Sequence, residues 1–164
     1  PVVMAAVAAG VPVLGGNLPR SQMRAAMADA AWDGHLPAAA LSRQYAALRE
    51  GHCGLLPESQ IGPMARIQIA RDAAMAQTAR EAMRPGQAVL LVAGSGHVLR
   101  SIGVPTHWSA NIKSKVVVAQ AGKAQTATTL IAKDADAVVE TPALPPRDAC
   151  AELRQQWQRP AAAR

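Results

Sequence analysis

Residues 87–93, Gln-Ala-Val-Leu-Leu-Val-Ala, form an apolar run closed in front by Pro85-Gly86 and behind by Gly94. A short apolar run between two turn signals predicts a strand buried on both faces, the kind found in parallel sheets covered by helices. The run ends in Gly94-Ser95-Gly96-His97-Val98, and Gly103-Val104-Pro105 follows after a short interval. In open α/β sheets ligands meet the carboxyl ends of strands, so His97 stands where a ligand is expected.

The rest of the chain fits that architecture. Residues 11–14 predict a short strand ended by Gly15-Gly16, which delivers Asn17 and Arg20 to its carboxyl end. Ser21 fits an N-cap for a helix reaching Ala30, and residues 42–50 predict a short helix containing Tyr45. The glycines and prolines of residues 51–63 predict a loop carrying His52 and Cys53, and a long helix is expected over about 64–83, stopped by Arg84-Pro85-Gly86. Further strands are expected at 115–119 and 136–140, then a terminal helix over 147–158 and a disordered tail over 160–164. Helices alternating with apolar strands predict an α/β fold with a mostly parallel sheet flanked by helices. At 164 residues the chain is sized for one domain.

Hydrophobic residues make up 50% of the chain but Phe is absent, so the core is expected to consist of Ala, Val, Leu, Ile and Met. The formal charge of +6 is spread along the chain. No basic run with interleaved aromatics is present, so the charge argues for solubility or for small anionic ligands and against nucleic acid. Cys53 and Cys150 form no metal signature and leave a single disulfide open. No apolar run is long enough to span a bilayer, and the first residues carry no secretory signal pattern.

A helical wheel of the long helix sets Arg66, Gln77, Arg80 and Glu81 on one side and Met64, Ile67, Met75, Thr78 and Ala82 on the other. Arg71 falls in the apolar side, flanked by Gln68 and Asp72. Burying unpaired charge costs several kcal/mol by order of magnitude, so a partnered polar cluster is predicted there, either a structural ion pair or part of a ligand site. His97 has three readings: a ligand contact, a metal ligand or acid–base group, and a cap on the next helix. Gly94 and Gly96 suit a tight turn with close backbone approach, but Leu99 occupies the place of the third glycine of a dinucleotide fingerprint. Asn17 fits a strand-to-helix turn as well as a ligand contact, and Arg20 is open. His35, His52 and His107 are expected to be solvated loop residues. Neither a Gly-x-Ser-x-Gly elbow nor a His-Glu-x-x-His helix occurs.

Taken together, Gly94-Ser95-Gly96-His97-Val98 with Gly103-Val104-Pro105, Gln68-x-x-Arg71-Asp72-x-x-Met75-Ala76, Asn17-Leu18-Pro19-Arg20 and the stretch Ala135-Asp136-Ala137-Val138-Val139-Glu140-Thr141-Pro142 resemble the ChaN family of bacterial haem-binding proteins. The resemblance implies a haem-binding domain over residues 1–145 and a terminal helix and tail over 146–164. It implies haem as cofactor, held by Asn17, Arg20, Gln68, Arg71, Asp72, Gly94, Gly96 and His97, with Tyr45, the sole tyrosine, as the iron ligand. It also implies a homodimer, a role in iron uptake without turnover, and a lipoprotein of the cell envelope. The family's N-terminal Gly-Glu-x-His segment has no match in residues 1–20, and residues 2–10 read as the last turns of a helix. The expectation is therefore a fragment whose N-terminal part, with any lipid anchor, lies upstream. Because the fold is also similar to that of erythromycin-esterase-like and Tiki-type hydrolases, the alternative is a hydrolase using His97 and a carboxylate.

Overall fold

The computed structural model describes residues 2–122, 133–143, 145 and 147–158. The fold is mixed α/β and is organised around one helix, α4, spanning Glu58–Ala82. Before it come α1 (Val2–Ala8), α2 (Met23–Ala28) and α3 (Ala38–Gly51), with 3-10 turns at Arg20–Gln22 and Ala30–Gly34. After it come the single turn α5 (Ser95–Val98), a 3-10 turn at Val104–His107, strands β1 (Val117–Ala121) and β2 (Ala137–Thr141), and α6 (Ala149–Gln158). The two strands pair in parallel, Val117 opposite Ala137 through Ala121 opposite Thr141.

On α4, Ile61, Ala65, Ile69, Asp72, Ala76 and Ala79 are buried at spacings of four or three, the stripe that one helix face presents to its neighbours. Three apolar clusters lie along this stripe. Leu48 of α3 meets Ile61 and Ala65; Leu36, Ala40 and Ile102 meet Ile69; and Val104 meets Met75 and Ala76. On the opposite side Arg66 reaches Asp33, with its Nε and Nη2 donating at 2.8 and 2.7 Å, and this ion pair holds the Asp33 carboxyl below its usual range.

The strand expected at 115–119 is present two residues later, and that at 136–140 one residue later. The terminal helix is present as α6, while residues 160–164 lie outside the described residues. Other expectations need correction. The loop expected over 51–63 ends at Pro57, which precedes the first residue of α4. Pro63 is accommodated inside the helix at the cost of one backbone hydrogen bond early in its course. Ser21 is not an N-cap, because Arg20–Gln22 is already a 3-10 turn and α2 begins at Met23 without a side-chain cap. Residues 11–14 and 87–93 are irregular rather than strands. Leu91 and Ala93 pack inward while Leu90 and Val92 stay exposed, so the second run is covered on one face only and has no ladder partner among the described residues.

The two cysteines are joined: Cys53 and Cys150 form a disulfide with a Cα–Cα distance of 5.6 Å, across 97 residues of chain. It ties α6, which has no buried residue of its own, to the turn after α3. Cys53 sits at φ 56°, a left-handed conformation unusual for a residue with a Cβ. No helix among the described residues is long and apolar enough to cross a membrane.

Candidate functional site

His97 lies in α5, directly after the turn that Gly94 opens with φ −61° and ψ 149°. The His97 N–H donates to Gly94 O at 2.9 Å, which closes the turn and directs the imidazole toward α4. There its Nδ1 meets Asp72 Oδ1 at 2.6 Å. Asp72 is 2% exposed, so this contact satisfies a carboxylate that the core would otherwise leave unpaired. Burial pushes the Asp72 carboxyl up, while the His97 hydrogen bond, the His97 charge and the Arg71 charge draw it back. With Asp72 ionised, a neutral His97 carries its proton on Nδ1, and Nε2 is left with a free lone pair. A carboxylate behind a histidine in this way fixes its tautomer and its orientation, as a metal ligand or a general base requires.

Gly103 is what lets the turn sit so close. A Cβ built there would stand 2.3 Å from His97 O and 3.0 Å from Gly96 O. The Gly103 N–H also donates to Leu99 O at 2.9 Å. Gly103 thereby belongs to the site, and its fixed offset from the Gly-Ser-Gly-His turn is the mark it leaves in the sequence.

A second polar group adjoins the first. Arg71 Nε donates to Asn17 Oδ1 at 2.9 Å and Nη1 to Gln68 Oε1 at 3.3 Å. Arg71 is half-buried rather than central to the apolar stripe, and the buried charge of the predicted polar cluster is Asp72. Gln68, Asp72, Gly94, Gly96 and His97 line one side of a cleft of about 330 Å³, whose other side is the C-terminal half of α3 with Gln44, Leu48 and His52. His52 is thus a cleft residue rather than a solvated loop histidine. Its Nδ1 lies 2.9 Å from Leu48 O and donates to it, leaving Nε2 free.

Six of the nine expected residues, Gln68, Arg71, Asp72, Gly94, Gly96 and His97, therefore assemble, and Asn17 joins them through Arg71. Arg20 is exposed on its 3-10 turn and makes no hydrogen bond through its side chain among the described residues. Tyr45 packs against the cluster of Leu48, Ile61 and Ala65, one residue from the cleft-lining Gln44. His35 and His107 are not solvated either. They stack with ring centroids 3.9 Å apart, His35 Nε2 lies 3.0 Å from Thr106 Oγ1, and the buried Nε2 of His107 has no partner among the described residues. Among the described residues no group of three or more His, Cys, Asp and Glu side chains is arranged to hold a metal ion.

No curated protein and no solved structure matches this chain. A sequence model of one family, described as haem-binding uptake, Tiki superfamily, ChaN, matches residues 1–108, which include every residue of the cleft.

Proposed function

The chain belongs to the haem-binding uptake, Tiki superfamily, ChaN family, and from that premise we propose that it binds haem in the cleft of His97 as part of bacterial iron uptake. The observation that carries the reading is the Asp72–His97 pair, which presents an imidazole nitrogen of fixed tautomer in a partly apolar cleft. That donor set fits haem iron: a neutral imidazole with a carboxylate behind it is an established axial ligand arrangement. Haem brings the iron and the redox chemistry; the chain supplies a ligand nitrogen and a polar wall, and nothing is turned over. Arg71, held by Asn17 and by the cleft-lining Gln68, is the residue assigned to a propionate.

At about 330 Å³ the cleft lies at the small end of ligand sites, so it covers one side of a macrocycle and leaves the other exposed. A second copy covering that side explains the homodimer the family resemblance implies. The same reading extends to a lipoprotein of the cell envelope, and Tyr45, which packs beside the cleft against Leu48, Ile61 and Ala65, is the rival candidate for the iron. Haem titration followed by absorbance tests these assignments. Saturation near one haem per chain that His97→Ala abolishes and Tyr45→Phe leaves unchanged supports His97 as ligand. The reverse pattern returns the iron to Tyr45, and no saturable Soret shift refutes haem binding.

The alternative, a hydrolase, draws on the same pair, since a histidine oriented by a buried carboxylate is also the form of a general base. Ester turnover lost in both His97→Ala and Asp72→Asn, together with a failed haem titration, is the result that favours it.

A further inference from the structure

A second groove, of about 660 Å³, runs between the C-terminal end of α4, residues 87–91 and the start of β1, and shares no lining residue with the His97 cleft. Its floor is apolar. Val104 has no exposed surface, Leu91 and Trp108 pack around it, and Trp108 is fixed by its Nε1–H donating to Ala76 O at 3.3 Å. Its two long sides are unpaired backbone. Among the described residues no backbone N–H or C=O of residues 88–93 takes part in a hydrogen bond, although Leu91 and Ala93 face inward and Leu90 and Val92 outward as in a strand. Across the groove, β1 is paired among the described residues along one edge only, with β2. Two facing rows of unmet donors and acceptors over an apolar floor are a template for strand addition.

The rim gives the occupant's charge. Lys113 and Lys115 line the groove, are exposed, and make no ion pair among the described residues. The nearby Asp136 is already engaged by Arg100 and by the Val116 N–H. We propose that this groove receives an extended apolar peptide strand with acidic flanking residues, supplied by a second polypeptide, which pairs with residues 88–92 on one side and extends the β1–β2 sheet on the other. The 88–92 edge is about 17 Å long at roughly 3.3 Å per residue, enough for a five-residue strand. The proposal is independent of haem and of the His97 cleft.

The probe is a synthetic peptide with a Val-Thr-Val-Thr-Val centre and two glutamates at each end, added to the oxidised full chain. Binding is read by anisotropy of the labelled peptide and by amide hydrogen exchange of the protein. Saturable binding with exchange slowed at residues 88–92 is expected. A version flanked by lysines should bind roughly tenfold weaker, and Lys113→Glu with Lys115→Glu should reverse that preference. A version N-methylated at alternate residues should not bind. Absence of saturable binding, protection elsewhere in the chain, indifference to the flanking charge, or equal binding of the N-methylated peptide would each overturn the proposal.

Discussion

Replacing Gly103 by alanine tests the geometry of the His97 turn directly. The new Cβ would lie 2.3 Å from His97 O and 2.5 Å from His97 C, both backbone atoms that no rotamer change can move aside. Carbon reaches its best contact distance near 3.5 Å, so the two segments must separate by about 1 Å. Overpacking of this kind costs about 1–3 kcal/mol. If His97 takes up the movement, its 2.6 Å contact with Asp72 lengthens past hydrogen-bonding range and leaves a buried carboxylate unpaired, adding about 1–3 kcal/mol. Gly103→Ala is therefore expected to lower stability by roughly 2–6 kcal/mol in urea denaturation and to remove the His97 Nδ1–H resonance from the NMR spectrum. Gly96→Ala is the control, since its Cβ would meet nothing within 4 Å. A Gly103→Ala protein as stable as Gly96→Ala, with the His97 resonance intact, would refute the close approach.

Three further outcomes follow from other parts of the fold. Burial, with the charge of His35 adding to it, lowers the His107 pKa to about 4 from 6.5. The unfolded chain then binds a proton that the folded chain refuses between those values. Stability is complete above 6.5, falls as the pH drops toward 4 and levels below. The full shift corresponds to about 3 kcal/mol, which screening at a partly exposed imidazole reduces to roughly 1–2 kcal/mol. His107→Gln should flatten this slope relative to the parent in urea titrations across the same pH range. Reducing the Cys53–Cys150 bridge should lower stability by about 2–4 kcal/mol and release α6, read as lost amide protection at Ala149–Gln158; protection that survives reduction counts against the tether. Ile69→Ala, at a position 1% exposed, should cost about 2–5 kcal/mol in the same assay, and a smaller loss would mean that the surrounding cluster collapses into the space.

What could be read from the sequence divides along local and non-local lines. The long helix and its polar cluster were legible because periodicity and uncompensated charge are properties of a dozen neighbouring residues. Its start lies earlier than expected because Pro63 reads as a breaker, whereas α4 carries it as its sixth residue, without the hydrogen bond to Ser59 O and with the ring against that carbonyl. The runs at 11–14 and 87–93 carry strand composition, but a strand exists only when a partner pairs with it, and composition does not record the partner. The site shows the same division. Asn17, Gln68, Arg71, Asp72 and His97 stood out through residue type and motif, and the fold links them as two hydrogen-bonded groups. His52 did not stand out, because its place on the cleft depends on where α3 ends against α4. The cysteine pairing was equally out of reach at a separation of 97 residues.

Asp72 occupies a position that stability alone would give to an apolar residue. It falls in the buried stripe of α4, three residues after Ile69 and four before Ala76, and burial raises its pKa in spite of His97. Replacing both partners of a buried ion pair by apolar side chains of similar volume is often neutral or stabilising by about 1–4 kcal/mol, whereas removing one partner destabilises because the other is left unpaired. Asp72 also borders the cleft, so a larger side chain there has room to settle. Asp72→Leu takes away one partner only and leaves the part-buried His97 Nδ1–H without its acceptor, so it is expected to lower stability by about 1–3 kcal/mol while freeing the His97 imidazole to rotate. If His97 holds haem iron, affinity should fall by about 10–100-fold, the usual effect of removing the partner behind a metal-ligating histidine. Asp72→Asn, which keeps an acceptor oxygen for Nδ1–H, should retain most of the affinity. An affinity loss in Asp72→Leu far larger than in Asp72→Asn, with both proteins folded, marks the carboxylate as a group that positions His97 for a ligand. If Asp72→Leu instead unfolds the chain, Asp72 is a structural anchor for the turn after residues 87–93, and the case for His97 as a ligand loses its main support.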